Sequence, residues 1–195
     1  MRLKPLLFTL ALLLSLMFRV HAQSTEKSII YDGKGIDSLR FGTLTSVDVK
    51  LALGNDFVAT NHDDYSIELY YPKQGIAFYR KYGPDTGKIF CMVFRPAYQG
   101  STARGFKIAS MTVQDMLRLY GKPEWTYLER DKTLYASYDT EGIYFSIKPH
   151  GAPPAQYNVE KPAPALAKER NSYFMNLYYN DKVEEITIGV PGTDF

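Results

Sequence analysis

The chain has 195 residues, of which 45% are hydrophobic and 23% charged, a globular rather than a disordered composition. Arg2, Lys4 and Arg19 fall in the first 22 residues, which leaves 20 basic against 21 acidic side chains beyond them, a balance that argues against a nucleic-acid binder held by phosphate contacts. The single cysteine, Cys91, excludes an intramolecular disulfide, a thiolate zinc cluster and a Cys-x-x-Cys redox pair.

Residues 1–22 read as a secretory signal. Arg2 and Lys4 form a basic start, Leu6 to Phe18 is an uncharged apolar run of 13 residues, and Val20-His21-Ala22 offers small residues at the cleavage-setting positions. The run is shorter than the ~20 apolar residues that a bilayer requires. The expected product is periplasmic or secreted, with no integral membrane segment once the signal is removed. Residues 23–35 read as an N-terminal extension, flexible or at a sheet edge.

From residue 36 the chain looks written twice. Leu44-Thr45-Ser46-Val47-Asp48 to Gly54 aligns with Met111-Thr112-Val113-Gln114-Asp115 to Gly121 at an offset of 67. The same offset carries Tyr71 onto Tyr138 and Gly75-Ile76-Ala77-Phe78 onto Gly142-Ile143-Tyr144-Phe145. Thr45 and Thr112 are candidate N-caps, with Asp48 and Asp115 placed to complete a capping box. Val49, Ala52 and Leu53, and likewise Met116, Leu119 and Tyr120, stand at i, i+3 and i+4, one buried stripe on a short helix. Gly54 and Gly121 suit the left-handed closing position. Strands follow over Ser66 to Tyr71, Ile76 to Tyr82 and Lys88 to Arg95 in the first copy, and over Thr133 to Tyr138 and Ile143 to Lys148 in the second. The second copy then departs. A Pro/Ala-rich insertion at about 149–171 reads as a surface loop or a disordered stretch, and Tyr173 to Tyr179 with Val183 to Val190 reads as a hairpin. The resulting division is repeat 1 over 36–95, a linker over 96–104, and repeat 2 over 105–195.

The capped helix, the following Gly and the Gly-Ile-x-Phe strand resemble the BamE/SmpA-like family of outer-membrane assembly lipoproteins, and two such units in tandem resemble the secreted β-lactamase inhibitor proteins. The likeness covers 36–95 and 103–190. Family helices begin Gly-Met-Thr, whereas this chain has Thr43-Leu44-Thr45 and Ser110-Met111-Thr112, and the family's Gly-x-Pro survives only as Gly121-Lys122-Pro123. The lipid-bearing Cys and the inhibitors' disulfides are absent. The resemblance implies an α+β fold, two tandem repeats of short helix plus antiparallel β-meander with helices on one side of a curved sheet, and protein binding without catalysis.

Catalytic signals are weak. His62-Asp63-Asp64 is a solvated turn rather than a metal site, because adjacent loop residues rarely converge on one ion. His150 falls in the insertion, Glu184-Glu185 point to opposite faces of a strand, and no nucleophile elbow or phosphate-cradling loop occurs. No cofactor and no metal is expected. Tyrosine is the better lead, at 16 residues beside 11 Phe and 1 Trp. On the strand reading, Ile67, Leu69, Ile76, Phe78, Leu134, Ile143, Phe145 and Ile147 face the helices. Tyr70, Ala77, Tyr79, Tyr135 and Tyr144 face away, with Phe90 and Phe94 as candidates for the same surface. Tyrosine combines contact area, low rotamer entropy and a polar tip, which suits recognition. The expected binding residues are Tyr70, Tyr79, Phe90, Tyr135 and Tyr144, and the expected partner is a protein or peptide. Ordinary strand propensity explains the same tyrosines without function. The alternatives are a hydrolase whose carboxylates meet only in three dimensions and a small-ligand carrier.

Overall fold

The structure is a computed structural model that describes residues 28–61, 65–83, 87–108, 110–157 and 163–191. The signal of residues 1–22 and the His62-Asp63-Asp64 turn lie outside the described residues. The fold is α+β, with two mostly antiparallel sheets. The small sheet has the order β3-β2-β1-β8, from β1 (Ile29–Tyr31), β2 (Gly35–Ile36), β3 (Leu39–Arg40) and β8 (Ser101–Thr102). Part of the 23–35 extension is therefore an interior strand. β1 pairs β2 antiparallel on one side and the linker strand β8 in parallel on the other.

The first half of the large sheet follows helix α1 (Ser46–Leu53) with β4 (Val58–Asn61), β5 (Ser66–Tyr71), β6 (Ile76–Lys81) and β7 (Ile89–Phe94). The second half follows α2 (Val113–Tyr120) with β9 (Glu124–Leu128), β10 (Thr133–Tyr138), β11 (Ile143–Ile147) and, after helix α3 (Pro164–Leu177), β12 (Val183–Gly189). All eight strands form one sheet in the order β4-β5-β6-β7-β12-β11-β10-β9. The halves meet through their last strands: Phe94 pairs with Ile186, Val93 with Thr187 and Met92 with Ile188.

Both short helices start and stop for the same local reasons. The Thr45 hydroxyl accepts from the Asp48 N–H, and the Thr45 N–H donates to Asp48 Oδ2 at 2.8 Å. Thr112 and Asp115 form the same box, with the return bond at 3.0 Å. Gly54 and Gly121 close the helices at φ 85° and 82°, where a side chain would be strained. One tyrosine then ties each helix end to its sheet: the Tyr71 hydroxyl donates to the Gly54 carbonyl at 3.1 Å, and the Tyr138 hydroxyl to the Gly121 carbonyl at 2.8 Å.

Most of the core is one cluster, on the helix side of the large sheet. Val49, Val113 and Met116 from the short helices and Phe174 from α3 join Leu69, Tyr71, Phe78, Met92, Phe94, Leu134, Phe145, Ile186 and Ile188 from the sheet. Small-sheet residues Ile30 and Ile36 belong to the same cluster.

Four sequence expectations change here. Tyr173 to Tyr179 is not a strand: α3 runs to Leu177, with Phe174 and Tyr178 buried one turn apart. The insertion is not wholly loop, since it holds a 3₁₀ turn at Ala155–Tyr157 and the start of α3 at Pro164. Phe94 is fully buried in the helix-side core, not on the opposite surface. The cause is a bulge: Tyr79 pairs with Cys91 and Arg80 with Ile89, so Phe90 is the extra residue, and the alternation that follows it sends Met92 and Phe94 inward. Finally, β4 and β9, which precede the expected meanders, are additional strands at the two ends of the sheet.

Candidate functional site

The residues that alternate with the core line the other surface of the large sheet. Cross-strand pairing places Tyr70, Ala77, Val93, Thr187, Tyr144 and Ser137 in one row across both halves. Two flanking rows hold Glu68, Tyr79 and Cys91 on one side and Glu185, Ser146 and Tyr135 on the other. All five candidate tyrosine and phenylalanine positions therefore share one side of the sheet, Phe90 through its contact with the Ala77, Tyr79, Cys91 and Val93 cluster. They are not equally available. Tyr70, Phe90, Tyr135 and Tyr144 are half-buried, whereas Tyr79 is only 7% exposed and acts as packing rather than as a contact residue. Burial, reinforced by neighbouring Glu68, pushes the Tyr79 phenol above its ordinary range. Burial likewise pushes the Cys91 thiol up to about 12, which makes it an inert core thiol.

Arg95, just past β7, organises this surface. Its guanidinium meets Glu68 Oε1 at 2.7 Å and Glu185 Oε1 at 3.1 Å, and its Cζ lies 4.5 Å from the centre of the Tyr70 ring. Glu68 comes from the first half and Glu185 from the second, so one cation bridges both halves over the aromatic row. Burial works against the charge on Arg95, but Glu68, Tyr79 and Glu185 outweigh it and raise its pKa. Pairing a half-desolvated cation with two carboxylates holds the side chain in place and limits its use as a free charge. Its place at a strand end marks Arg95 in the sequence as a charge rimming the aromatic face, but its partners lie 27 and 90 residues away and only sheet pairing brings them together.

Other polar clusters serve the fold. Asp32 accepts from the Tyr120 hydroxyl at 3.1 Å and pairs with Arg104 at 3.2 Å, and Arg104 reaches Glu141 at 3.9 Å. Burial raises the Asp32 pKa. This group ties the small sheet to α2 and the β10–β11 turn, with Arg104 paired to both acids. His150, expected to be exposed, has a side chain 58% exposed and contacts Asp181 at 2.9 Å, pinning the start of the insertion to the turn before β12. An open recess of about 410 Å³ is lined by Gly33, Lys34, Arg40, Phe41, Gly42 and Val190, with no carboxylate among these described residues. Among the described residues no three His, Cys, Asp or Glu side chains gather to hold a metal, and no helix is long and apolar enough to cross a membrane.

No protein-family model and no curated protein matches this chain. Among solved structures, it is similar to the uncharacterized protein yfeY from Escherichia coli, with a TM-score of 0.52 at 14% identity over 84% of this chain and 99% of that one. A DUF4309 family protein (YjgB) from Bacillus subtilis subsp. subtilis str. 168 matches 82% of this chain and 89% of its own at 11% identity and a TM-score of 0.46. At 14% identity the first likeness is one of fold alone.

Proposed function

We propose that the chain is an exported, non-enzymatic binding protein built from a duplicated unit. Its three described helices cover one side of a curved sheet, and the Arg95-centred aromatic surface is presented to a protein or peptide. The matched capping boxes, the matched Tyr71 and Tyr138 bonds and the spacing of 67 between Thr45 and Thr112 support the duplication. The single observation that carries the binding reading is the continuous row Tyr70–Ala77–Val93–Thr187–Tyr144, which crosses the junction of the halves on the side away from the core cluster. Half-exposed tyrosines around a fixed Arg form the composition typical of an interface centre. Localisation in the periplasm or outside the cell, and a relation to the BamE/SmpA-like and inhibitor architectures, are part of the same proposal. Glu68 and Glu185 are bridged by Arg95, and Asp32 and Glu141 by Arg104, which favours binding over hydrolysis.

The test is cross-linking and capture from a cell-envelope fraction with wild-type protein and with a Tyr70→Ala, Tyr144→Ala double variant. Both rings are half-buried, so the fold survives their loss, as an unchanged circular dichroism spectrum will show. The partner band should disappear in the double variant. An equally strong band in wild type and double variant rejects this surface as the binding site.

A further inference from the structure

The two outer strands of the large sheet are treated very differently. β9 is covered: α3 lies against it, Phe174 meets the Trp125 ring at 6.2 Å, and Glu124 adds a charge to the strand. Among the described residues β4 has no such cover. All four of its residues, Val58-Ala59-Thr60-Asn61, are exposed, and the strand contains no charge and no proline. Its pairing with β5 runs without a bulge. Outer strands left in this state offer unpaired backbone N–H and C=O groups to another strand, and proteins normally blunt them with charge, proline, bulges or a covering element.

The neighbouring helix shows the same bias. Val47 and Leu51, one turn apart on α1, are 39% and 81% exposed. The corresponding α2 residues are Gln114 and Arg118, and Arg118 pairs with Asp115 at 2.9 Å. Register makes Val58 correspond to Glu124, because Val58 pairs with Tyr70 and Glu124 with Ser137, 67 residues on. At three matched exposed positions the first half is apolar where the second is polar. They flank the edge from its two sides: Val58 stands in the Tyr70 row, away from the helices, while the Lys50 ammonium over Phe57, the residue before β4, brings the C-terminal part of α1 near the start of the strand.

We infer that β4, with the Val47–Leu51 side of α1, is a self-association surface on which a second copy of the chain docks antiparallel. Three features favour an identical copy as the occupant. The strand is uncharged, so nothing in it repels itself. Antiparallel pairing centred on Ala59 keeps like faces together and sets Val58 opposite the partner's Thr60, with the small Ala59 side chains meeting at the dyad. The chain also joins its own halves by this device, through β7 and β12 paired around Val93 and Thr187. The inference rests on the strand edge and its backbone groups and not on the aromatic rings, although Val58 stands in the Tyr70 row and so shares that side of the sheet.

The test is sedimentation of the purified full chain across a concentration series, with Val58→Lys, Leu51→Arg and Ala59→Cys variants. Wild type should show a concentration-dependent dimer. Val58→Lys and Leu51→Arg should each raise the dissociation constant about tenfold or more by placing charge in the contact, with unchanged melting of the monomer. Ala59→Cys should form an intermolecular disulfide, since Cα atoms directly opposite in an antiparallel pair stand about 4.5–5.5 Å apart, within disulfide reach. Cys91 is buried and does not compete. A chain that stays monomeric throughout overturns the inference, as does a dimer indifferent to Val58→Lys with no Ala59→Cys cross-link. A monomer whose β4 amides gain protection only with another protein's extended peptide also overturns it and assigns the edge to that partner.

Discussion

The two halves of the sheet share their helix caps, their tyrosine latches and most of their strand bounds, yet they diverge where the second half inserts α3. In the second half Lys182 bridges Thr112 as Lys88 bridges Thr45 in the first. Lys88 to Lys182 is 94 residues where the rest of the unit keeps 67, so the insertion adds 27 residues. Those residues supply a helix, and the outer strand beneath it has become large and apolar. Trp125 and Tyr127 on β9 are 0% and 5% exposed under this cover. Register makes Ala59 and Asn61 on β4 their counterparts, and both are small and exposed. Core residues on an outer strand are set by what covers them, not by the strand itself. Even Arg170, 2% exposed on α3, fits this account: burial lowers its pKa, and the nearby Glu124 of β9 opposes that.

Substitutions can break this comparison. The largest effect should come from Phe174→Ala, which uncovers Trp125 and should cost about 3–5 kcal/mol in urea unfolding. A loss under about 1 kcal/mol would mean that α3 does not seal the second half. Cap removal comes next. Thr45→Ala and Thr112→Ala should each cost about 1 kcal/mol and by matching amounts, because the two boxes have the same geometry. Hydrogen bonds from Thr45, first through its side chain, hold the Asp48 carboxyl below its usual pKa, and the Thr112 backbone N–H does the same for Asp115. A lowered carboxylate pKa stabilises the fold above the unfolded value and loses that contribution as pH falls through the folded value. Asp48→Asn and Asp115→Asn should therefore flatten the loss of stability below pH ~4, as read from melting temperature against pH. Tyr71→Phe and Tyr138→Phe each strand one helix-end carbonyl and should cost about 0.5–1.5 kcal/mol, again in step. The smallest effect should be Leu51→Arg on the stability of the monomer, within about 0.5 kcal/mol, since the side chain is 81% exposed.

Much of this fold could be read from residue order. Thr45 and Thr112 with their acids, and Gly54 and Gly121 at the far ends, mark two helices by local chemistry alone, and the structure begins and ends them there. Strict alternation in Ser66–Tyr71 and Thr133–Tyr138 marks two strands whose bounds match the structure. The failures have equally local causes. Leu166, Arg170, Phe174 and Tyr178 recur every four residues, but a buried arginine breaks the apolar stripe, and the Tyr- and Phe-rich end favours a strand by propensity. β4 is short and uncharged and carries no pattern, whereas Trp125 and Tyr127 alternate on β9 and were a usable signal. Phe94 was misplaced by one inserted residue at the Phe90 bulge, which no periodicity reveals. Of the candidate surface, the side of Tyr70, Tyr135 and Tyr144 was legible and the burial of Tyr79 was not.

Residue order alone settled what depends on near neighbours: the capped helices, the period-two strands, and the lone cysteine that left no disulfide to form. The folded sheet decided the rest. It set β7 against β12, brought Glu68 and Glu185 to Arg95 from distances of 27 and 90 residues, and folded a proline-flanked insertion into a helix that seals one end of the sheet while the other stays open. Caps and alternation act over a few residues, whereas strand pairing and burial join residues that only the closed chain brings together.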